Sequence, residues 1–150
     1  GPTALLMTSA VFGAMHLGNP GVTALGAANT MAAGLFLGAL YLRTGSLWWA
    51  TGAHLGWNWG LGFLADLPVS GLVIGDAPFV NARPGGPAWL GGGAFGPEGS
   101  VVATVGFLAG AGLCWWGPWL RPEPAAVARR PLAWSRGEVR AVESDKEQVP

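Results

Sequence analysis

Charge is almost missing from the first 120 residues of this chain, and that scarcity limits what it can fold into. Of its eight Lys and Arg, only Arg43 and Arg83 precede residue 121; of its eight Asp and Glu, only Asp66, Asp76 and Glu98 do. A soluble domain draws its water-facing surface from about 25% charged residues. This chain has 11%, against 51% hydrophobic residues and a mean hydropathy of +0.40. Five charges cannot cover a 120-residue globule in water. The expected fold is therefore all-α, a polytopic transmembrane helix bundle of about four apolar helices.

The same figures remove other classes. Formal net charge is zero, so there is no electrostatic footprint for nucleic acid. A single cysteine, Cys114, excludes an intrachain disulfide and sits in an apolar run, where it reads as a small buried hydrophobe. Nine tryptophans suit a protein with two membrane–water interfaces, where indole rings collect. The opening "GPTALLMTSAVFGAMHLGNP" has no initiator Met, no basic region and no cleavage-site pattern, so it is not a signal peptide. It begins partway into an apolar segment, and the expectation is a missing upstream part of the same protein.

Four apolar segments follow in order. Residues 3–17 are short of the roughly 20 needed to span and end at "GNPG", 18–21, a helix-breaking run. Residues 22–42 are long enough, with Asn29 and Thr30 their only strongly polar members. "RTGS", 43–46, is a tight turn beside the interface anchors Tyr41 and Arg43, and residues 47–65 form the third segment. Residues 66–100 are rich in Gly and Pro and read as an extramembrane loop. Residues 101–120 are the fourth segment, and 121–150 a polar tail of disordered composition.

If segments two to four each cross once, Arg43 shares a side with six basic residues of the tail, while the other side holds only Arg83. Positive residues favour the cytoplasm, so the tail and the 43–46 turn are expected inside a bacterial plasma membrane. The 66–100 loop is then outside. Gly34 and Gly38, and Gly52, Gly56 and Gly60, recur at four-residue spacing, which lets helices approach closely in lipid. The second row is expected to seat its helix against a neighbour and so help hold the polar groups on it.

Those polar groups are the chemical content of the chain. Both histidines, His16 and His54, lie in or at the end of apolar segments. The bland reading gives each one backbone hydrogen bond and a packing role. Burying imidazole in lipid without partners costs about several kcal/mol, and ionisable groups at such places usually face a bundle interior or a cavity. His54 and Asn58 stand at i and i+4 and so share a helix face. Together they can bind a water, donate to a carbonyl oxygen or help ligate a metal. No serine has a nucleophile-elbow context, no HExxH is present, and "GGGAFG", 91–96, lacks the strand and helix that a dinucleotide fingerprint requires.

"FGAMH", Phe12 to His16, resembles the FxxxH motif of the CPBP intramembrane proteases, also called the CAAX protease and bacteriocin-processing (Abi) family. "HLGWN", His54 to Asn58, resembles that family's HxxxN/D motif, and "YLRTGSLWWATGAH" and "GGAFGPEGS" are similar to bacterial members. The resemblance spans roughly residues 8–120. It implies a helical endopeptidase cutting peptides or membrane-associated proteins in or near the lipid. By that analogy His16 binds or activates the hydrolytic water, with a glutamate from an upstream EExxxR motif, and His54 and Asn58 stabilise the oxyanion. Metal dependence is commonly ascribed to the family; under it His16 and His54 become ligands of a divalent metal such as zinc.

The chain departs from the pattern because it holds no EExxxR. Its glutamates, Glu98 among them, all fall in the loop or the tail, so the chain alone is expected to be inactive. A non-catalytic membrane immunity or scaffold protein of the same fold is the alternative. There is also a geometric difficulty, since His16 belongs near the outer side and His54 about 12 Å from the inner boundary at 1.5 Å per residue. The two meet only if segment one stops at mid-membrane, if helices tilt, or if "GNPG" is re-entrant, and the last is the favoured solution.

Overall fold

A computed structural model describes residues 2–75, 80, 82 and 85–120. The 121–150 tail, Asp76 and Arg83 lie outside the described residues, so the tail and seven of the eight basic residues bearing on orientation stay expectations. Among the described residues there are five α-helices: α1 (Pro2–Ala14), α2 (Ala24–Thr44), α3 (Leu47–Trp59), the short α4 (Ala88–Gly91) and α5 (Val101–Trp116). A π-helical turn, Gly60–Leu64, continues α3, and two 3-10 turns, Gly93–Phe95 and Pro97–Gly99, lead into α5. Among the described residues there is no strand, only an isolated bridge between Val69 and Leu72. The described fold is all-helical, and among the described residues one helix, α2, is long and apolar enough by itself to cross a membrane.

Local chemistry sets the ends of α2. Thr23 stands in extended conformation and its Oγ1 accepts from the Gly26 amide at 3.0 Å, an N-cap. At the other end Gly45 takes φ 68°, the left-handed region open to glycine, and its N–H donates to Tyr41 O. These caps put α2 two residues further along than the apolar run 22–42. Ser100 caps α5 in the same way, its Oγ accepting from Ala103 N at 3.1 Å.

Helix α2 is the centre, with α1, α3 and α5 packed on it. Close approaches give the directions. Gly13 abuts Met31, Gly34 abuts Ser9 and Gly38 abuts Leu5, so α1 runs antiparallel to α2. Thr104 bonds Asn29, Gly110 meets Phe36, and Cys114 clusters with Ala39 and Leu40, so α5 runs parallel to α2. Helix α3, joined to α2 by the tight turn, returns antiparallel. Consecutive long helices therefore alternate in direction, as successive crossings demand.

The two glycine rows behave differently. A Cβ on Gly34 would lie 2.9 Å from Ser9 Cα, and one on Gly38 would collide with Leu5, so this row does let two backbones meet. Nothing lies within 4 Å of a Cβ at Gly52, Gly56 or Gly60. The expected packing of that row is overturned. At about 100° per residue, Gly52 stands some 200° around the helix from His54, so when the histidine faces α2 the glycines face outward.

The end of the 66–100 segment is not a free excursion. Phe95 is fully buried against Gly26, and Gly96, Glu98, Gly99 and Ser100 are buried with it. This irregular backbone descends beside α2 to the level of Asn29. Asn29 is fully buried and fully satisfied: Nδ2 donates to Glu98 O at 2.7 Å and Ser100 O at 2.8 Å, and Oδ1 accepts from Thr104 Oγ1 at 2.7 Å. Non-helical backbone tolerates such a place only when its polar groups find protein partners, and here they do.

Candidate active site

Helix α1 stops early. With Gly13 against Met31, it ends about 10 Å along α2 from that helix's first residue, at 1.5 Å per residue. The histidines meet because α1 ends partway along α2, and both the turn that contains "GNPG" and the 93–100 stretch run as non-helical backbone beside that helix. Residues 15–22 then turn through successive short bonds, His16 N to Gly13 O at 3.0 Å and Asn19 N to His16 O at 3.1 Å.

His16, half-buried at this turn, bonds through Nδ1 to Phe12 O at 2.6 Å. A carbonyl can only accept, so Nδ1 carries the ring's proton and a neutral ring keeps an unshared pair on Nε2. His54, half-buried on α3, accepts at Nε2 from Asn58 Nδ2 at 3.3 Å. That arrangement places the His54 proton on Nδ1. The two imidazoles therefore have opposite free functions, a lone pair on one and an N–H on the other.

Phe12 holds them apart and together. Its ring centroid lies 4.7 Å from that of His16 and 5.6 Å, edge-on, from that of His54. Both histidines line one partly open cavity of about 50 Å³, enough space for a few water molecules. Phe36, Leu37 and Phe107 form much of its wall, and its polar lining is His16, His54, Thr30, Ser70 and Glu98. Asn58 does not line the cavity; it reaches the site through His54.

Sequence reasoning missed Glu98, Ser70 and Trp57. Glu98 is only 6% exposed. Its Oε1 accepts from Trp57 Nε1 at 2.9 Å, and its Oε2 from Ser70 Oγ at 2.7 Å and from the Ser70 backbone N–H. Ser70 has φ 46° and Gly71 φ 83°, the two positive angles of a type I′ turn, closed by Val69 N to Leu72 O and Leu72 N to Val69 O, each 2.9 Å. The Ser70 carbonyl in turn accepts from Asn19 Nδ2 at 2.8 Å. The available signal was scarcity, because Glu98 is one of five charges before residue 121.

Among the described residues no group of three or more His, Cys, Asp or Glu is placed to hold a metal. His16 and His54 supply two imidazoles, one short of the three protein ligands usual in catalytic zinc sites, and His54 Nε2 is already taken by Asn58.

Residues 1–60 match the family model described as type II CAAX prenyl endopeptidase Rce1-like. The matched stretch contains "FGAMH" and "HLGWN" entire and agrees with the resemblance they carry. No curated protein and no solved structure matches the chain.

Proposed function

We propose that the chain, whose stretch bearing both histidines matches the type II CAAX prenyl endopeptidase Rce1-like model, supplies the water- and oxyanion-binding half of an intramembrane protease site. Its substrates are membrane-associated peptides or proteins, and lipid is its other partner. The single observation that carries this reading is the convergence of His16 and His54, from different segments, on one water-sized cavity across Phe12.

The chemistry follows from the tautomers. A water held at His16 Nε2 gives a proton toward that lone pair as its oxygen attacks the scissile carbonyl carbon. The carbonyl π pair moves onto oxygen, and the resulting oxyanion is met by the His54 Nδ1–H. Asn58 fixes the tautomer that makes this donor available. Collapse breaks the C–N bond, and the amine nitrogen leaves with the proton. A donor aimed at an oxyanion is worth about 3–4 kcal/mol of barrier. The stronger carboxylate base comes from an EExxxR segment, which these 150 residues do not contain. No step runs through a metal; a metal-dependent route would take His16 and His54 as two ligands and a third from elsewhere.

The test is cleavage of a membrane-tethered peptide reporter by the protein together with an EExxxR-bearing segment. His54→Ala is expected to lower kcat about 100-fold, and His16→Ala at least as much, while the 150-residue chain alone gives no cleavage. Full activity in His54→Ala would remove that residue from catalysis. No cleavage at all with the EExxxR segment present would favour a non-catalytic immunity or scaffold protein. Cleavage by the chain alone would show that it needs no outside glutamate.

A further inference from the structure

We propose that Glu98 is a positioning residue that sets the distance between His16 and His54. The idea rests on the two-histidine site described above, yet it can be tested without any proteolysis. A buried carboxylate is costly unless several donors meet it, and Glu98 is met by three. One of them, Trp57 Nε1, stands one helical turn beyond His54 on the same helix. The other two belong to Ser70, whose carbonyl is bonded by Asn19 Nδ2. Asn19 N donates to His16 O. One carboxylate thus pulls with one oxygen on the segment carrying His54 and with the other, through Ser70 and Asn19, on the turn carrying His16.

The carboxylate also has a fixed base. Its backbone carbonyl accepts from the fully buried Asn29, which is tied through Thr104 to α5. A clamp anchored this way transmits position rather than yielding. Both oxygens already accept hydrogen bonds from fixed donors, so the role is to hold. Ser70 is in addition kept in left-handed backbone, at φ 46°, a conformation disfavoured for a residue with a Cβ. Bonds from its N–H and Oγ to Glu98 offset that cost. Local strain maintained by surrounding contacts is characteristic of functional sites.

Glu98→Gln tests the clamp directly. An amide offers one acceptor oxygen and turns an NH2 toward a donor, so it cannot serve both Trp57 and Ser70. The measurement is the proton NMR contact between the Phe12 and His54 rings in the 150-residue chain in lipid nanodiscs. The Phe12–His16 contact, within one segment, serves as the internal reference. In Glu98→Gln the Phe12–His54 contact is expected to fall severalfold while the reference persists. Thr44→Val, which removes buried hydrogen bonds at the far end of α2 from the cavity, should leave both.

Should Glu98→Gln fail to fold, Trp57→Phe and Asn19→Ala each cut one arm and keep the carboxylate; each is expected to weaken the Phe12–His54 contact. An unchanged contact in Glu98→Gln, or in both single-arm variants, overturns the proposal. Where cleavage is measured, Glu98→Gln should lower kcat on the order of 100-fold with KM little changed, and Glu98→Asp should restore part of the loss. Absence of cleavage by the unaltered chain together with the EExxxR segment would overturn the proteolytic reading and leave the ring-contact result to decide the clamp.

Discussion

Asn29 shows what a single polar side chain must do to live inside this molecule. Its carboxamide has two donors and one acceptor in use, with partners on the 93–100 segment and on α5. Replacing it by Ala strands the carbonyl of Glu98 and takes one bond each from the Ser100 carbonyl, which keeps the Thr104 N–H, and from the Thr104 hydroxyl. Each buried polar group left without a partner costs about 1–3 kcal/mol, so Asn29→Ala is expected to lose about 3 kcal/mol or more. Thr104→Val removes the bond to Oδ1 and the longer one from the same hydroxyl to Ser100 O, and should cost about 1–2 kcal/mol. Reversible unfolding in mixed micelles measures both, and equal losses would contradict this account of the carboxamide. Asn29 is conspicuous in the sequence as a polar residue amid Ala, Gly and Leu, and a need for partners follows from that alone. Their identity does not, because they lie about seventy residues on. His16 and His54 were legible for a different reason: each sits in a short local motif whose spacing survives without knowledge of the fold.

Between elements, the spacing of small residues is ambiguous in one dimension. Gly34–Gly38 and Gly52–Gly56–Gly60 look alike as strings, yet only the first lies against a neighbouring backbone. The consequence is a contrast in mutants. Gly34→Ala drives a methyl toward Ser9 Cα, which as backbone cannot step aside, and should destabilise the α1–α2 pair by about 1–3 kcal/mol. Gly56→Ala meets open space and gains helix propensity of up to about 1 kcal/mol. Detergent-induced unfolding of the 150-residue chain reads both; a destabilised Gly56→Ala would mean the outer face of α3 is packed after all. The helices themselves were readable from apolar runs and from the breaks between them at 18–21, 43–46 and 66–100. The descent of 93–100 was not, since its Gly and Pro content signals a loop and gives no sign that the loop is buried. What buries it is Phe95 entering the space left by Gly26, a match that only the assembled fold reveals.

The outside of the described helices is apolar. Val102, Val105, Leu108 and Leu113 on α5, and Leu6, Met7 and Val11 on α1, are all exposed, far beyond what a monomer in water displays. A bundle in lipid has this surface by necessity. The alternation of α1, α2, α3 and α5 brings the C-terminal ends of α2 and α5 and the start of α3 to one level, and there Trp48, Trp49, Trp116 and Trp119 are exposed beside Tyr41. Indole rings gathered at one end fit a membrane interface. Helix α3 and its π turn run unbroken over Leu47–Leu64, about 27 Å at 1.5 Å per residue and close to the ~30 Å hydrocarbon core. If α3 crosses, the Trp48 end and the 66–75 end lie on opposite sides. Arg43 sits at the Trp48 end, so the positive-inside tendency places that end in the cytoplasm. In a Cys114→Ala background, Leu47→Cys should react with an impermeant maleimide only from the cytoplasmic side, and Leu72→Cys only from the outer side. Both positions are exposed. Reversed labelling would invert the orientation but keep the bundle. Labelling of both from one side would mean that α3 does not cross, and the cavity between the histidines would then have to be reached from water rather than from lipid.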